Sequence, residues 1–286
     1  MDVGGQRGGT TQPAAPQVYL GPGDERGLEI FDHGDTEEIA RDLSSVAQYL
    51  RGHLVPSMSN GKSRAIVLLS GGMDSCVCAA LAVRDFETAA VHVSYGQRTE
   101  VRERHAFLAI CERLGIHQRL MVKNEALRAI GGSALTDKKI AVPESGELGG
   151  EIPVTYVPFR NAHFLSVAVS WAEVLGAETV LIGAVEQDSS GYPDCRPEYY
   201  RAFNEVVRSG TKEGRIKIET PLIGMRKSQI VTRGLELGAP FDLTWSCYSR
   251  DDRACGVCDS CTLRLRAFRE AGVTDPLPYQ EVVAGQ

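Results

Sequence analysis

The sequence predicts a doubly wound, mostly parallel α/β sheet with a small four-cysteine element near its C-terminal end. Three observations carry this. Short apolar runs alternate with segments of helical period between Arg64 and Leu237, the pattern of repeated βα units. The first run ends directly in a Gly71-Gly72 turn, where a buried parallel strand hands over to a helix. Four of the eight cysteines, Cys247, Cys255, Cys258 and Cys261, fall within fifteen positions, whereas the others are scattered.

Taken in order, residues 1–16 are rich in Gly, Pro and Thr and are expected to be disordered. A partly helical extension is expected over 17–60. It has a short apolar run at Val18–Leu20 and a helix from Thr36 to Leu54 that Asp35 can cap, with Ile39, Leu43, Val46 and Leu50 at three- and four-residue intervals. Pro56–Ser63 reads as a linker. The main domain is expected over 64–240. Strands are predicted at Ala65–Leu69, Ala89–Ser94, His117–Val122, Thr179–Gly183 and Arg215–Glu219. Helices are predicted at Met73–Val83, Glu100–Leu114, Asn161–Leu175 and Lys227–Leu237. Residues 125–156 have little periodicity and read as a long excursion near a site. The cysteine element and a terminal helix, Thr262–Ala271, are expected over 241–274, with 275–286 as a tail. In such a sheet ligands sit at the carboxyl ends of the strands.

A chain of 286 residues can hold one large domain plus an accessory element. Its composition, 43% hydrophobic and 24% charged, is that of a globular protein. No apolar run approaches the ~18 residues of a membrane span, and the N-terminus lacks a basic-then-apolar leader, so a cytoplasmic location is expected. The formal charge of -6 and the lack of a Lys/Arg block argue against a dedicated nucleic-acid binder while allowing small nucleotide ligands.

The sharpest local signal is Leu69-Ser70-Gly71-Gly72-Met73-Asp74-Ser75, directly after the first core strand. Paired glycines let the backbone bring its N–H groups close to a ligand, and the following helix adds unpaired N–H groups and a positive dipole end. Ser70 and Ser75 can donate hydroxyl hydrogen bonds, and Asp74 can hold Mg²⁺ against phosphates. Neither the Walker pattern nor the dinucleotide glycine pattern is present.

The cysteines are spaced C-x7-C-x2-C-x2-C. Two intervening residues let one tight turn aim both thiolates at a common ion, and Gly256 eases that turn. Cys247 then completes a tetrahedral four-thiolate site for Zn²⁺. An Fe–S cluster and a redox dithiol are the competing readings. With all four positions filled by thiolates a zinc ion has no open site for water, so a structural role is expected.

The loop resembles the S-G-G-x-D-S signature of the ATP-pyrophosphatase superfamily, which has a Rossmann-like sheet of the adenine nucleotide alpha hydrolase type. Further stretches resemble the 7-cyano-7-deazaguanine synthase family of queuosine precursor biosynthesis. They are Ser94-Tyr-Gly-Gln-Arg98, Val157-Pro-Phe-Arg-Asn161, Gly191-Tyr-Pro-Asp-Cys-Arg196 and Thr244-Trp-Ser-Cys-Tyr248, and the resemblance runs from about Arg64 to Thr274. It implies an ATP-dependent C–N ligase that converts 7-carboxy-7-deazaguanine and ammonia into the nitrile through adenylated intermediates, releasing AMP and pyrophosphate. It further implies that Ser70, Gly71, Gly72, Asp74 and Ser75 hold phosphates and Mg²⁺, with Tyr95, Gln97 and Lys227 also on ATP. Asp74, Arg160 and Lys227 would be the catalytic groups, and Arg160, Asn161, Asp188, Tyr192, Asp194 and Arg196 would bind the deazaguanine. A homodimer is implied by the resemblance alone. A lone Cys195 is read as packing, because neither amide nor nitrile formation needs a thiol.

Two departures from the family pattern stand out. Glu186 and Ser189 replace an asparagine and a tyrosine, and Phe159 replaces a small residue. About sixty residues precede the first core strand, and they could serve as a protein-binding element. These departures keep open a diverged ligase, for instance in bacterial antiviral defence, that joins the activated carboxylate to another amine such as one on a protein. Ammonia ligases of the NAD or GMP synthetase type share the loop but would lack the cysteine cluster. A tRNA-thiolating enzyme would want a basic surface and a catalytic cysteine pair. A non-catalytic scaffold has no physical need for the intact loop.

Overall fold

The computed structural model describes residues 28–29, 61–144, 152–186 and 191–280. The expected leader, the helix over 36–54 and most of the linker lie outside the described residues. The strands are β1 (Leu28–Glu29), β2 (Arg64–Leu68), β3 (Glu87–Ser94), β4 (Gln118–Lys123), β5 (Thr179–Ile182) and β6 (Lys217–Glu219). They form one sheet in the order β1-β4-β3-β2-β5-β6, with every neighbouring pair parallel.

Parallel strands need crossovers, and helices supply them on both faces. Helices α1 (Met73–Asp85), α2 (Glu100–Arg113), α6 (Lys227–Glu236) and α7 (Asp259–Glu270) cover one face; α4 (Arg160–Leu175) and α5 (Pro197–Gly210) cover the other. Strand β2 shows why its sequence is apolar throughout. Ala65 and Val67 pack with Phe107, Ile230 and Phe268 in one layer, while Ile66 and Leu68 pack with Leu165, Ala168 and Val207 in the other. The chain passes from β2 to β3 and β4, then returns to place β5 on the opposite side of β2. Strand order therefore reverses between β2 and β5, which opens a crevice at their carboxyl ends.

The excursion after β4 contains a short helix, α3 (Glu125–Ile130), whose start is capped by the Asn124 side chain accepting from the Leu127 N–H at 3.2 Å. Helix α5 was not anticipated from the sequence. Pro197 stands in its first turn, Tyr200 and Val207 are buried, and its other side is largely polar or charged. Beyond α6 the chain forms a 3-10 turn at Phe241–Leu243, the cysteine loop and α7. Residues 275–280 pack on this element: Gln280 N–H donates to Ala254 O at 2.9 Å, and Asp275 pairs with the buried Arg264. Among the described residues no helix is long and apolar enough to cross a membrane.

Candidate active site

A cavity of about 290 Å³ lies at the carboxyl ends of β2, β3 and β5. Its floor is the loop Ser70–Ser75. Gly71 has φ +91°, and a Cβ there would stand 2.7 Å from the Glu103 carbonyl oxygen. Only glycine fits both constraints. Ser70 Oγ accepts from Gly72 N–H at 3.2 Å and lies 3.0 Å from Ser75 Oγ, which also lies within 3.0 Å of Gly72 O. Gly183, just after β5, lets that strand end close on α1: a Cβ would sit 2.8 Å from Asp74 O.

Lys227, the first residue of α6, reaches the cavity and forms an ion pair with Asp74 Oδ2. The other Asp74 oxygen, Oδ1, is buried without a hydrogen-bond partner. A buried carboxylate oxygen in that state suits a cation or a polar ligand.

The opposite side of the cavity is aromatic. Arg160 Nη1 donates to Tyr95 OH at 3.0 Å, and its guanidinium stands within 5.6–5.8 Å of the Tyr95, Phe164 and Tyr192 rings. Arg160 Nε is buried and unpartnered. Burial pushes the Tyr95 phenol up to about 12, so it stays a neutral hydrogen-bonding group. Phe159, immediately before α4, adopts φ 57°, the one left-handed non-glycine among the described residues, and such strain gathers at ligand sites.

The positions expected from the sequence separate into four groups. Ser70, Gly72, Asp74, Ser75, Tyr95, Gln97, Arg160, Asn161, Tyr192 and Lys227 all line the cavity, and Gly71 shapes the loop beneath it. Gln97 is already engaged within the protein: Oε1 accepts from Tyr95 N–H at 2.8 Å and Nε2 donates to Glu103 Oε2 at 2.9 Å. Asp194 is buried beneath the cavity. Its Oδ2 accepts from Asn161 N–H at 3.0 Å and its carbonyl from Asn161 Nδ2 at 2.9 Å, while Oδ1 has no partner. Arg196 is exposed at the start of α5 and does not line the cavity. Asp188 lies outside the described residues. Cys195 lines the cavity, but burial pushes its thiol up to about 11, which leaves almost no thiolate at neutral pH.

Sequence reasoning did not single out Glu103, Phe164 or Arg264, which also line the cavity. Glu103 accepts from Thr99 Oγ1 at 2.8 Å as well as from Gln97, and burial raises its carboxyl. Its position three residues into a helix that follows Tyr95–Arg98 was the available signal. Arg98 extends the wall by donating to the carbonyls of Ala134, Asp137 and Ile140, which ties down the excursion.

The cysteine element closes the cavity on the side of α7. The Sγ atoms of Cys247, Cys255, Cys258 and Cys261 lie within 4.8 Å of one another. Tetrahedral coordination at the ~2.3 Å zinc–thiolate distance needs sulfurs ~3.8 Å apart, and Cys255 and Cys261 stand at 3.9 Å. Backbone N–H groups of Ser249, Cys255 and Cys258 donate to cluster sulfurs at 3.3–3.4 Å, which favours thiolates over thiols. The cluster is thus able to bind a metal, and its all-sulfur donor set fits zinc.

Residues 64–272 match the family described as queuosine biosynthesis protein QueC. A 7-cyano-7-deazaguanine synthase from Koribacter versatilis is 68% identical over 226 residues, covering 78% of this chain and 95% of the relative. The synthase from Acidobacterium capsulatum is 64% identical over the same length, covering 78% and 99%. That from Chlorobium chlorochromatii is 57% identical over 219 residues, covering 76% and 96%.

Proposed function

The chain belongs to the QueC family of queuosine biosynthesis proteins, and on that footing we propose how its cavity divides the labour of the 7-cyano-7-deazaguanine synthase reaction. The enzyme is an ATP-dependent ligase. A carboxylate oxygen is a poor leaving group, so the oxygen first attacks the α-phosphorus of ATP and pyrophosphate departs. Ammonia then forms the C–N bond as AMP leaves, giving the amide. The amide oxygen then attacks the α-phosphorus of a second ATP, releasing pyrophosphate and one N–H proton, and elimination of AMP with the last N–H proton gives the nitrile.

The observation that carries the residue assignment is Asp74, with one oxygen on Lys227 and the other buried and unpartnered in the phosphate loop. Ser70, Gly72 and Ser75 cradle the departing pyrophosphate, and Lys227 offsets its charge. Asp74 Oδ1, buried and unpartnered, would hold Mg²⁺, which would supply positive charge against the phosphate oxygens. Arg160 orients the carboxylate from the aromatic side, where Tyr95, Phe164 and Tyr192 exclude water. Asn161 and Tyr192 contact the deazaguanine, and Asp194 fixes Asn161 for that contact. Cys247, Cys255, Cys258 and Cys261 would hold zinc; four thiolates would leave it no open site for water, so its part would be to fold the loop after Trp245.

A homodimer, a main domain ending near residue 240 and a protein-binding role for residues 17–60 complete the proposal. No finding favours transfer to another amine over ammonia. The assignment is tested by nucleotide analysis of turnovers. AMP and pyrophosphate that appear only with 7-carboxy-7-deazaguanine support it, and ADP in their place would contradict it.

A further inference from the structure

The Gly71–Gly72 peptide can point either way, because neither residue carries a Cβ. Its orientation decides whether the loop offers an anion an N–H or a carbonyl oxygen. In a trans peptide the Gly71 carbonyl and the Gly72 N–H project to opposite sides. Here Gly71 O accepts from the Trp245 backbone N–H at 2.8 Å, and Gly72 N–H faces Ser70 Oγ at 3.2 Å, with Ser70 and Gly72 both lining the cavity. A flip would bring a carbonyl oxygen toward bound phosphate.

Trp245 is itself held on both sides. Arg264, only 2% exposed, donates to Thr244 Oγ1 at 2.7 Å and to Ser246 Oγ at 3.3 Å, the residues immediately before and after it. The remaining guanidinium bonds go to Asp275 at 2.7 and 2.9 Å and to Phe241 O at 3.2 Å. All of its N–H groups are engaged within the protein, so Arg264 has none to spare for a phosphate although it lines the cavity. Tyr279 OH secures Asp275 at 2.6 Å. Arg102 stacks over the Trp245 ring at 4.6 Å, and the first cluster ligand, Cys247, follows two residues later.

We propose that the Trp245 backbone N–H is a latch that keeps the Gly71 carbonyl out of the phosphate cradle, and that Arg264 is the positioning residue that holds this latch. The cysteine element thereby sets nucleotide affinity from outside the phosphate site. The inference rests on the ATP-binding reading above.

Calorimetry on the full-length protein separates this from a merely structural role. Arg264→Lys should weaken ATP binding about tenfold or more while affinity for 7-carboxy-7-deazaguanine stays within about twofold. Metal content should not change. Thr244→Val, which removes one anchor and leaves the Arg264–Asp275 pair intact, should show the same selectivity more mildly. In the wild-type protein, chelating the metal should speed hydrogen exchange of the 244–247 amides and weaken ATP binding together. Unchanged ATP affinity once those amides exchange freely, or equal weakening of both ligands in the variants, would overturn the latch. A wild-type protein that does not bind ATP would instead overturn the reading beneath it.

Discussion

Lys227, at the first position of α6, pairs with Asp74, at the second position of α1, although 153 residues separate them in sequence. The pair joins two helices of one layer across the floor of the cavity and leaves one Asp74 oxygen for a further partner. Lys227→Met removes the cation and keeps much of the stem. It is expected to lower kcat/KM for ATP by about 100-fold, with Tm checked alongside. A loss of only a few-fold would remove Lys227 from the phosphate site.

Gly71→Ala places a Cβ 2.7 Å from the backbone oxygen of Glu103, at a φ of +91°. Backbone oxygen cannot step aside as a flexible side chain can, so the loop must shift. The expected cost is about 1–3 kcal/mol of stability, read by denaturant unfolding, with ATP binding lost before the fold.

Cys195→Ala is expected to retain activity within about threefold, because the chemistry requires no thiolate and burial already holds this thiol protonated. The wild-type Cys195 should also resist iodoacetamide at pH 7.5, as peptide mass mapping can check. Rapid alkylation with loss of turnover would reopen a nucleophilic role.

His92 is buried in β3, with Nδ1 3.1 Å from Leu69 O and Nε2 unpartnered. Burial holds it down to about 4 in the folded protein. Its folded value lies below the unfolded one, so only the unfolded state gains the proton as pH falls from 6.5 toward 4. Stability is therefore full above 6.5 and is lost through that window, at about 1.4 kcal/mol per pH unit within it. Denaturant unfolding of the wild-type and His92→Phe proteins should show this slope in the first and its flattening in the second.

What the sequence made legible follows physical lines. Strand β2 and the loop after it were readable because burial on both faces leaves an apolar run, and the Gly71-Gly72 turn admits few alternatives. The cysteine cluster was readable because metal geometry constrains spacing. Strand β1 was not, since two residues carry no period. Helix α5 had a signal in Pro197 and in the spacing of Tyr200, Phe203 and Val207, masked by the turn-like residues before it. Arg264 was not legible at all. A charged residue on a terminal helix reads as surface until Asp275, eleven positions later, is seen to pair with it at 1% and 3% side-chain exposure. Asp194 and Arg196 are close in sequence, yet one is buried behind Asn161 and the other exposed, a division set by the 3-10 turn at Pro193–Cys195.

The most direct measurement is mass spectrometry of the products that the purified protein forms from ATP, Mg²⁺, 7-carboxy-7-deazaguanine and ammonium. The account predicts 7-cyano-7-deazaguanine, with AMP and pyrophosphate released alongside it. An amide that accumulates without nitrile, a deazaguanine mass added to a protein, or an absence of AMP would contradict it.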